Sequence, residues 1–489
     1  MLVRARLRST ALGTAALVLL AACSTSASEE ASPTDPSASA SAGQATEDGA
    51  DDELAVALSE PREDSVYPES GDPGVDALHY RLDLTWQPKR RHLDAVEEVT
   101  LRATEDAREL RLDLSDALTV TAVRVDGRDT DWTQGKHDLR IHRPVERDER
   151  YVVQLAYEGT PRPATAPTER SDFDGLGWHV TDSGETWTMQ EPYGAHTWYA
   201  VNDQPADKAL YDFTLTVPAP WTGIANGELT GTTEQDGRRT TTWHLSEPAS
   251  SYLTTVAFGD YTAYESESES GVPVTVWSPT GRGTGDQPLG ETGYTAEALD
   301  WAEDLLGPYP FDTLGAVIVD SASAMETQTM MTLGDAAYPT SRPVVVHEVV
   351  HQWYGNTVSP ADWSDVWMNE GMTMYLQWWW EAEHGDLTLE EIVTGARQQV
   401  PDMRSLAGPP AAYDPDNFGQ SNIYFIPAIM WHELRQRIGE EAFREMLRAW
   451  PEEMANSARD RDEYVAWVEE QTGAELTDFF EGWLLGDAT

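Results

Sequence analysis

The sequence has one cysteine, Cys23, and only three lysines among its 489 residues. A single cysteine excludes an intramolecular disulfide and a metal site built on cysteine sulfur. Basic residues are scarce as a class, with 33 lysines and arginines against 85 acidic residues and a net charge of −52. Because phosphate binding needs a basic face, this composition excludes nucleic acid as a partner. The acidity is typical of a solvated surface that keeps a protein soluble in salt.

Long apolar runs are also missing, except near the N-terminus. Residues 11–20 form an apolar stretch that follows three arginines and is too short to span a bilayer as a mature helix. The next residues, Leu-Ala-Ala-Cys at 20–23, resemble a bacterial lipobox, in which the cysteine is lipidated and becomes the new N-terminus. An ordinary secretory signal with a chance cysteine is the alternative. We therefore expect residues 1–23 to be a lipoprotein signal peptide and the protein to be exported, anchored to the cell membrane through acylated Cys23, and facing away from the cytoplasm.

Three further segments follow in order along the chain. Residues 24–65 contain almost no large apolar side chain, which predicts a disordered acidic tether. Residues 66–265 alternate apolar and polar side chains in short runs broken by turns, which predicts an all-β domain of sandwich or saddle type. A carbohydrate-binding or adhesion module would show the same periodicity. Residues 266–489 mix helical spacing at 295–306 with a buried strand at 314–319, and helices follow.

A candidate metal site lies in the last segment, where residues 347–351 read His-Glu-Val-Val-His. His347 and His351 are four residues apart, so on a helix both imidazoles lie on one face and reach one ion. Glu370, within Asn-Glu-Gly in the next helical run, can supply a third ligand. Two histidines, one carboxylate and an open fourth position form the ligand set of a catalytic zinc site. The pattern predicts one zinc ion per chain.

A histidine pair on an apolar helix is more often ordinary core packing, but the Asn-Glu-Gly sequence at the right separation favours the metal site. Glu348 lies next to a ligand in sequence but points off the ligand axis, so it can take a proton from a water at the metal. Two other candidate positions, taken alone, also fit an ordinary structural role. Glu191 lies in a stretch rich in turn formers and aromatics, yet taken alone it reads as a surface carboxylate. Tyr424 taken alone reads as a core tyrosine at a helix entry.

Taken together, these motifs resemble the zinc metallopeptidase family that includes aminopeptidase N and leukotriene hydrolase, a group of the gluzincin class. The resemblance covers about residues 75–489. The motifs that carry it are Glu191-Pro192 with Gly194-Ala195, the turn at 307–311, Ala324-Met325-Glu326, the stretches 347–351 and 367–371, Ile423-Tyr424 and the run 432–435.

The resemblance implies a role for each matched residue. His347, His351 and Glu370 would bind zinc, and Glu348 would be the general base. Glu326 matches the glutamate that binds the free α-amine of the substrate, next to Ala324 and Met325 in the substrate-binding motif. Glu191 matches a second acidic residue at that end, and Tyr424 matches the tyrosine that stabilises the tetrahedral intermediate. The implied fold is an α+β multidomain one, with a β-rich N-terminal domain followed by a thermolysin-like α/β zinc-peptidase domain.

The sequence departs from the family pattern in three places. The usual asparagine after the amine-binding glutamate is Thr327, and a glycine normally just after the catalytic tyrosine is Pro427. We also expect no counterpart of the large helical C-terminal domain of many relatives.

The expected activity is that of a zinc aminopeptidase acting on peptides with a free N-terminus. A thermolysin-like endopeptidase is disfavoured by Glu326 and Glu191, because carboxylates at the amine end block continuation of the chain. A catalytically silent surface lipoprotein that binds a partner would have no need of Glu348.

Overall fold

The computed structural model of the protein describes residues 53–173 and 175–488. The expected signal peptide, Cys23 and most of the expected tether lie outside this range. Among the described residues, no helix combines the length and the apolar character needed to cross a bilayer.

The described chain runs from a β-rich half into a mixed half. The strands are β1 (Val75–Gln87), β2 (His92–Ala103), β3 (Leu110–Asp113), β4 (Leu118–Val125), β5 (Arg128–Asp129), β6 (Trp132–Gln134), β7 (Asp138–Ile141), β8 (Arg150–Gly159), β9 (Gly177–Val180), β10 (Thr186–Met189), β11 (Lys208–Pro218), β12 (Thr222–Ala225), β13 (Glu228–Gln235), β14 (Arg238–Ser250), β15 (Val256–Gly259), β16 (Tyr261–Glu267), β17 (Pro273–Pro279), β18 (Leu314–Val319), β19 (Ala324–Met325), β20 (Met330–Gly334), β21 (Val358–Pro360) and β22 (Ser457–Arg459). The α-helices are α1 (Thr295–Leu306), α2 (Arg342–Val350), α3 (Trp367–His384), α4 (Leu389–Arg397), α5 (Val400–Ala407), α6 (Phe425–Ile438), α7 (Glu440–Glu453), α8 (Arg461–Thr472) and α9 (Thr477–Leu484).

The N-terminal half is built on an eight-stranded sheet in the order β13-β14-β11-β1-β2-β8-β4-β5. Its strands alternate buried and exposed side chains, as a sheet with one covered face requires. The buried face packs on a four-stranded sheet in the order β12-β15-β10-β9, and the rings of Trp86 and Trp178 meet at 5.3 Å between the two sheets. Two sheets with their apolar faces together confirm the expected β-rich N-terminal domain.

The C-terminal half contains a five-stranded sheet in the order β16-β17-β18-β20-β19. Strands β17, β18 and β20 are parallel, and β16 and β19 are antiparallel strands at the two edges. Helix α1 and strand β18 have the bounds that the sequence pattern predicts. The sheet begins at Tyr261, so its first strand crosses the expected boundary between residues 265 and 266. The α/β architecture expected for this half is confirmed.

Buried hydrogen bonds join the two halves. The Nζ of Lys208, at the start of β11, donates to the backbone oxygens of Asn356 at 2.6 Å and Thr357 at 3.1 Å. The amide of Asn226 donates to the backbone oxygen of Gln328 at 2.6 Å. These contacts reach the segment between β19 and β20 and the turn after helix α2, so the N-terminal half fixes the backbone on which the site below is built.

The expected tether is wrong at its C-terminal end, because residues 53–65 are packed on the fold. Residues 55–57 form a short 3-10 helix. The carboxylate of Asp64 is buried and accepts hydrogen bonds from the backbone nitrogens of Trp363 and Tyr67, each at 2.7 Å. The backbone of Arg62 donates to Gln204 at 2.9 Å. A polar segment is held here by backbone and carboxylate hydrogen bonds, which a reading based on apolar content does not detect.

Candidate metal centre and active site

Helix α2 presents the two histidines. The helix begins at Arg342 with Pro343 in its first turn and ends at Val350, while His351 keeps helical backbone angles as its C-cap. The Nε2 atoms of His347 and His351 lie 3.2 Å apart. Gly355 follows with a φ of +130°, and a Cβ there would lie 3.1 Å from Nδ1 of His351. Glycine therefore lets the chain turn away closely behind this imidazole.

The hydrogen bonds of the other ring nitrogens fix the tautomers. Nδ1 of His351 lies 2.9 Å from the backbone oxygen of Tyr354, and Nδ1 of His347 lies 3.0 Å from Oε1 of Gln377. Both partners are acceptors, so each Nδ1 carries the hydrogen and each neutral Nε2 exposes a lone pair. Two lone pairs that face each other at 3.2 Å repel unless a cation lies between them.

Glu370 completes the candidate metal site from the first turn of helix α3. Its Oε2 lies 3.4 Å from Nε2 of both His347 and His351, and it accepts no hydrogen bond from the described residues. Burial disfavours the charge of Glu370, whereas positive charge at His351 and His347 favours it and lowers its pKa to about 2, so the charged carboxylate depends on a cation at the two imidazoles. One carboxylate oxygen and two imidazole lone pairs, all buried and converging, fit a divalent ion such as zinc.

Three more carboxyl groups surround this triad. Glu191, Glu326 and Glu370 each bring a carboxylate oxygen within 4.8 Å of the others, and carboxylate oxygens of Glu326 and Glu348 lie within the same distance of each other and of a ring nitrogen of His351. Oε1 of Glu191 and Oε1 of Glu326 are buried and have no hydrogen-bond partner among the described residues. Burial, and then the neighbouring carboxylates, raise the pKa of Glu191 and of Glu348 well above the usual range. Burial and mutual repulsion therefore oppose ionisation of these carboxyl groups, and cations beyond one metal ion would favour their charged forms.

Glu191 and Glu326 come from different halves of the chain. Glu326 follows strand β19 at the edge of the sheet, where Ala324 lines the cavity described below and Met325 is buried in the core. The backbone oxygen of Glu326 accepts from Nδ2 of Asn356 at 2.7 Å. Glu191 is adjacent to Gln190, whose buried amide donates to the backbone oxygens of Ser251 and Thr254 at 2.8 and 2.9 Å.

The departure at Thr327 has a local explanation. Its hydroxyl bonds the backbone oxygen of Met330 and lies 2.9 Å from the hydroxyl of Thr332. The side chain of Thr327 therefore stabilises the turn between β19 and β20.

Tyr424 lies at the entry to helix α6, and its ring centroid is 6.2 Å from that of His347. Burial and the neighbouring Glu370 raise the pKa of Tyr424 well above its usual range, so the phenol is a proton donor at neutral pH. Pro427 lies in the first turn of α6, where a missing backbone N–H is tolerated. A Cβ on Gly371 would approach Pro427 to 2.4 Å, so this glycine lets α3 and α6 pack closely.

A cavity of about 380 Å³ opens beside Glu348 and Tyr424. Its walls also include Arg170, from a loop of the N-terminal half, which the sequence reasoning missed. No motif around this arginine pointed to the site, since it lies far from the metal ligands along the chain.

Comparison with known proteins agrees with this geometry. The Peptidase M1 N-terminal domain matches residues 76–253, and the Peptidase family M1 domain matches residues 291–483. Aminopeptidase N of Streptomyces lividans is 26% identical over 447 residues, which cover 84% of this chain and 50% of that protein. Human aminopeptidase N is 27% identical over 251 residues, which cover 47% of this chain and 26% of that protein. The chain thus spans half or less of the length of these relatives.

Solved structures match over a larger share. The M1 zinc metallopeptidase of Deinococcus radiodurans superposes with a TM-score of 0.77 at 26% identity, covering 87% of this chain and 97% of that one. A variant of it with a bound Tyr-Ser-Ala substrate gives 0.78 at 26% identity, covering 87% of this chain and 98% of that one. The fold and the two matched domains together place the chain in the class of zinc metallopeptidases. Within that class, the chain belongs to the M1 peptidase family.

Proposed function

We propose that this protein is a zinc-dependent aminopeptidase that hydrolyses the first peptide bond of peptides with a free N-terminus. The observation that carries the proposal is the position of Glu191 and Glu326, whose unpartnered buried oxygens lie next to the metal ligand Glu370. A free α-amine is a cation and compensates this charge. A substrate held there by its N-terminus has its first peptide bond beside the metal site.

The chemistry follows from the residues around that bond. Zinc held by His347, His351 and Glu370 would supply a Lewis acid that polarises the carbonyl and lowers the pKa of water. Glu348, whose buried carboxyl lines the cavity, takes the proton of the attacking water and passes it to the leaving amine. Tyr424 donates a hydrogen bond to the carbonyl oxygen as it becomes negative, an effect typically of order 10²–10³ in rate.

The same carboxyl groups argue against an endopeptidase. A peptide that continued past the amine pocket would bury neutral amide groups against Glu191 and Glu326 and leave both charges uncompensated. An N-acetylated substrate also lacks the positive charge of the amine and would leave the same two carboxylates uncompensated.

The test compares a fluorogenic aminoacyl peptide with its N-acetyl form on wild type and on Glu326→Ala. Wild type is expected to cleave the free form and to lose at least about 10²-fold in kcat/KM on acetylation, equivalent to several kcal/mol of transition-state binding. Glu326→Ala should lose a similar factor on the free form and respond little to acetylation. Glu228→Ala, at an exposed position on β13, is the control that should match wild type. Equal cleavage of both substrates by wild type would favour the endopeptidase.

We further propose that the protein is a lipoprotein anchored to the outside of the cell membrane through acylated Cys23. The support is the sequence alone, namely the arginines, the short apolar run and the lipobox-like residues 20–23. A surface position suits an enzyme that takes short peptides from the surroundings.

A further inference from the structure

Residues 164–173 and 175–176 of the N-terminal half belong to a loop that reaches the catalytic cavity. Ala164 and Leu176 close its base by two backbone hydrogen bonds of 2.8 and 2.9 Å. Near its tip, the side chain of Arg170 lines the cavity together with Glu348 and Tyr424. A loop of the β domain therefore forms part of the wall on the side of the general base.

The loop holds the segment that leads into Tyr424. The backbone oxygen of Pro167 accepts from the nitrogen of Phe418 at 2.9 Å, and NH1 of Arg170 donates to the backbone oxygen of Gly419 at 2.6 Å. Gly419 has a φ of +72°, and a Cβ there would lie 3.2 Å from the same guanidinium nitrogen. The turn before helix α6 is therefore shaped around the arginine.

The guanidinium is itself fixed in place. Its Nε donates to Asp172 at 3.1 Å, its NH2 donates to the other oxygen of that carboxylate at 2.5 Å, and it stacks 4.7 Å from the ring centroid of Phe173. A bidentate pair and a stacked ring leave it little freedom. Fixed in this way, the guanidinium lies against the turn that leads into Tyr424 and lines the same cavity, and its charge opposes the rise in the pKa of the phenol that burial and Glu370 cause.

The charges around Tyr424 show why a cation is needed there. Oε2 of Glu370 lies 3.4 Å from Nε2 of His347, whose ring centroid is 6.2 Å from that of Tyr424. Glu191 and Glu326 each bring a carboxylate oxygen within 4.8 Å of Glu370. A substrate oxygen that becomes negative beside Tyr424 faces the same carboxylates. Among the residues that line the described cavity, Arg170 carries a positive charge and is not a candidate metal ligand.

We propose that Arg170 is a positioning residue for the hydrolysis, holding Tyr424 in place from the opposite domain and setting positive charge beside its hydroxyl. The inference rests on the proposed aminopeptidase function. Arg170 acts through Tyr424 and not on the substrate amine, which binds at Glu191 and Glu326, so its loss should affect kcat more than KM.

A double-mutant cycle tests this coupling. Tyr424→Phe is expected to lower kcat by roughly 10²-fold or more and Arg170→Met by roughly 10–10²-fold, with KM changed little in both. The double variant should be no slower than Tyr424→Phe alone. Arg170→Lys should recover part of the loss, because it keeps the charge without the bidentate pair. Losses that multiply in the double variant would show that the two residues act independently and would overturn the proposal.

Arg111→Met is a matched control, because Arg111 pairs with Asp113 two residues later and donates to the backbone oxygen of Gly71, but does not line the catalytic cavity. It should leave kcat unchanged. A readout that needs no turnover separates this inference from the proposed function. With tyrosines labelled at Cζ, the NMR signal missing from Tyr424→Phe belongs to Tyr424. The chemical shift of that signal should change in Arg170→Met and remain the same in Arg111→Met. An unchanged chemical shift in Arg170→Met would refute the inference even if the protein is active.

Discussion

Oε1 of Gln377 accepts the Nδ1 hydrogen of His347 at 3.0 Å. Gln377 lies two turns after Glu370 on helix α3, so one helix supplies a candidate metal ligand and also orients a histidine of helix α2. Its own amide is oriented in turn, since Nε2 donates to Glu381 at 2.8 Å. The orientation of His347 as a candidate metal ligand thus depends on Gln377, which is not itself a candidate ligand.

Replacing this amide should weaken metal binding. Gln377→Met removes the acceptor that fixes the tautomer of His347, and such a loss typically lowers metal affinity by about 10–100-fold. Competition with a zinc-binding dye measures the effect, with exposed Gln398→Met as the control. Unchanged affinity in Gln377→Met would contradict the assigned tautomer.

Stripping zinc with a chelator should abolish activity and lower the melting temperature of wild type, and added zinc should restore both.

Glu348→Gln should keep zinc and lose nearly all activity. The amide has the shape of the carboxyl group but cannot accept the proton of the attacking water, a role worth typically about 10²–10⁴-fold. Zinc content by atomic absorption and kcat on an aminoacyl amide give the two readouts. Turnover at the wild-type level would remove Glu348 from the mechanism.

Glu97 makes the stability of the protein depend on pH. Its side chain is fully buried on β2, and burial raises its pKa to about 8 although Tyr157 and the backbone of Ala200 donate to it. Between about pH 4.5 and 8 the folded state keeps a proton that the unfolded chain releases. The stabilisation is therefore full below pH 4.5 and is lost as the pH rises through 8.

Glu97→Gln, neutral at every pH, tests this sign. Its melting temperature should rise relative to wild type as the pH goes from 5 to about 8.5. Glu98→Gln, at a partly exposed neighbour on the same strand, should show no such trend. A constant difference between Glu97→Gln and wild type across this range would mean that the carboxyl group is not held neutral.

Cys23→Ala should prevent lipid attachment. The protein is then expected in the soluble fraction or as an unprocessed precursor, and it should keep its activity, because Cys23 is not one of the candidate site residues. Cell fractionation followed by an activity assay on each fraction is the measurement. Full retention of the mutant in the membrane fraction would rule out anchoring through this residue.

Local patterns in the sequence carried much of the fold and part of the site. Helix α1 and strand β18 have the predicted bounds because their apolar spacing is regular. The convergence of His347, His351 and Glu370 follows from a helical repeat and a return helix, both encoded within one short stretch.

Contacts made over long distances in the chain were not predictable in this way. Asp64 is buried because its carboxylate meets the backbone of Trp363, and nothing in the composition around Asp64 shows this. Arg170 reaches Gly419 from a loop whose sequence has no periodic signal. Each depends on where a distant backbone lies once both halves have packed.

The buried amine of Lys208, bonded to the turn after helix α2, has a consequence for how this molecule can be divided. Residues 266–489 cut away from the β domain would lose that anchor and Glu191 together, and would expose the apolar surface around Tyr252, a fully buried side chain whose hydroxyl bonds Gly355 at 3.1 Å. The two halves should therefore melt in one cooperative transition. Replacing either half by that of a relative would require matching residues on both sides of the interface between them.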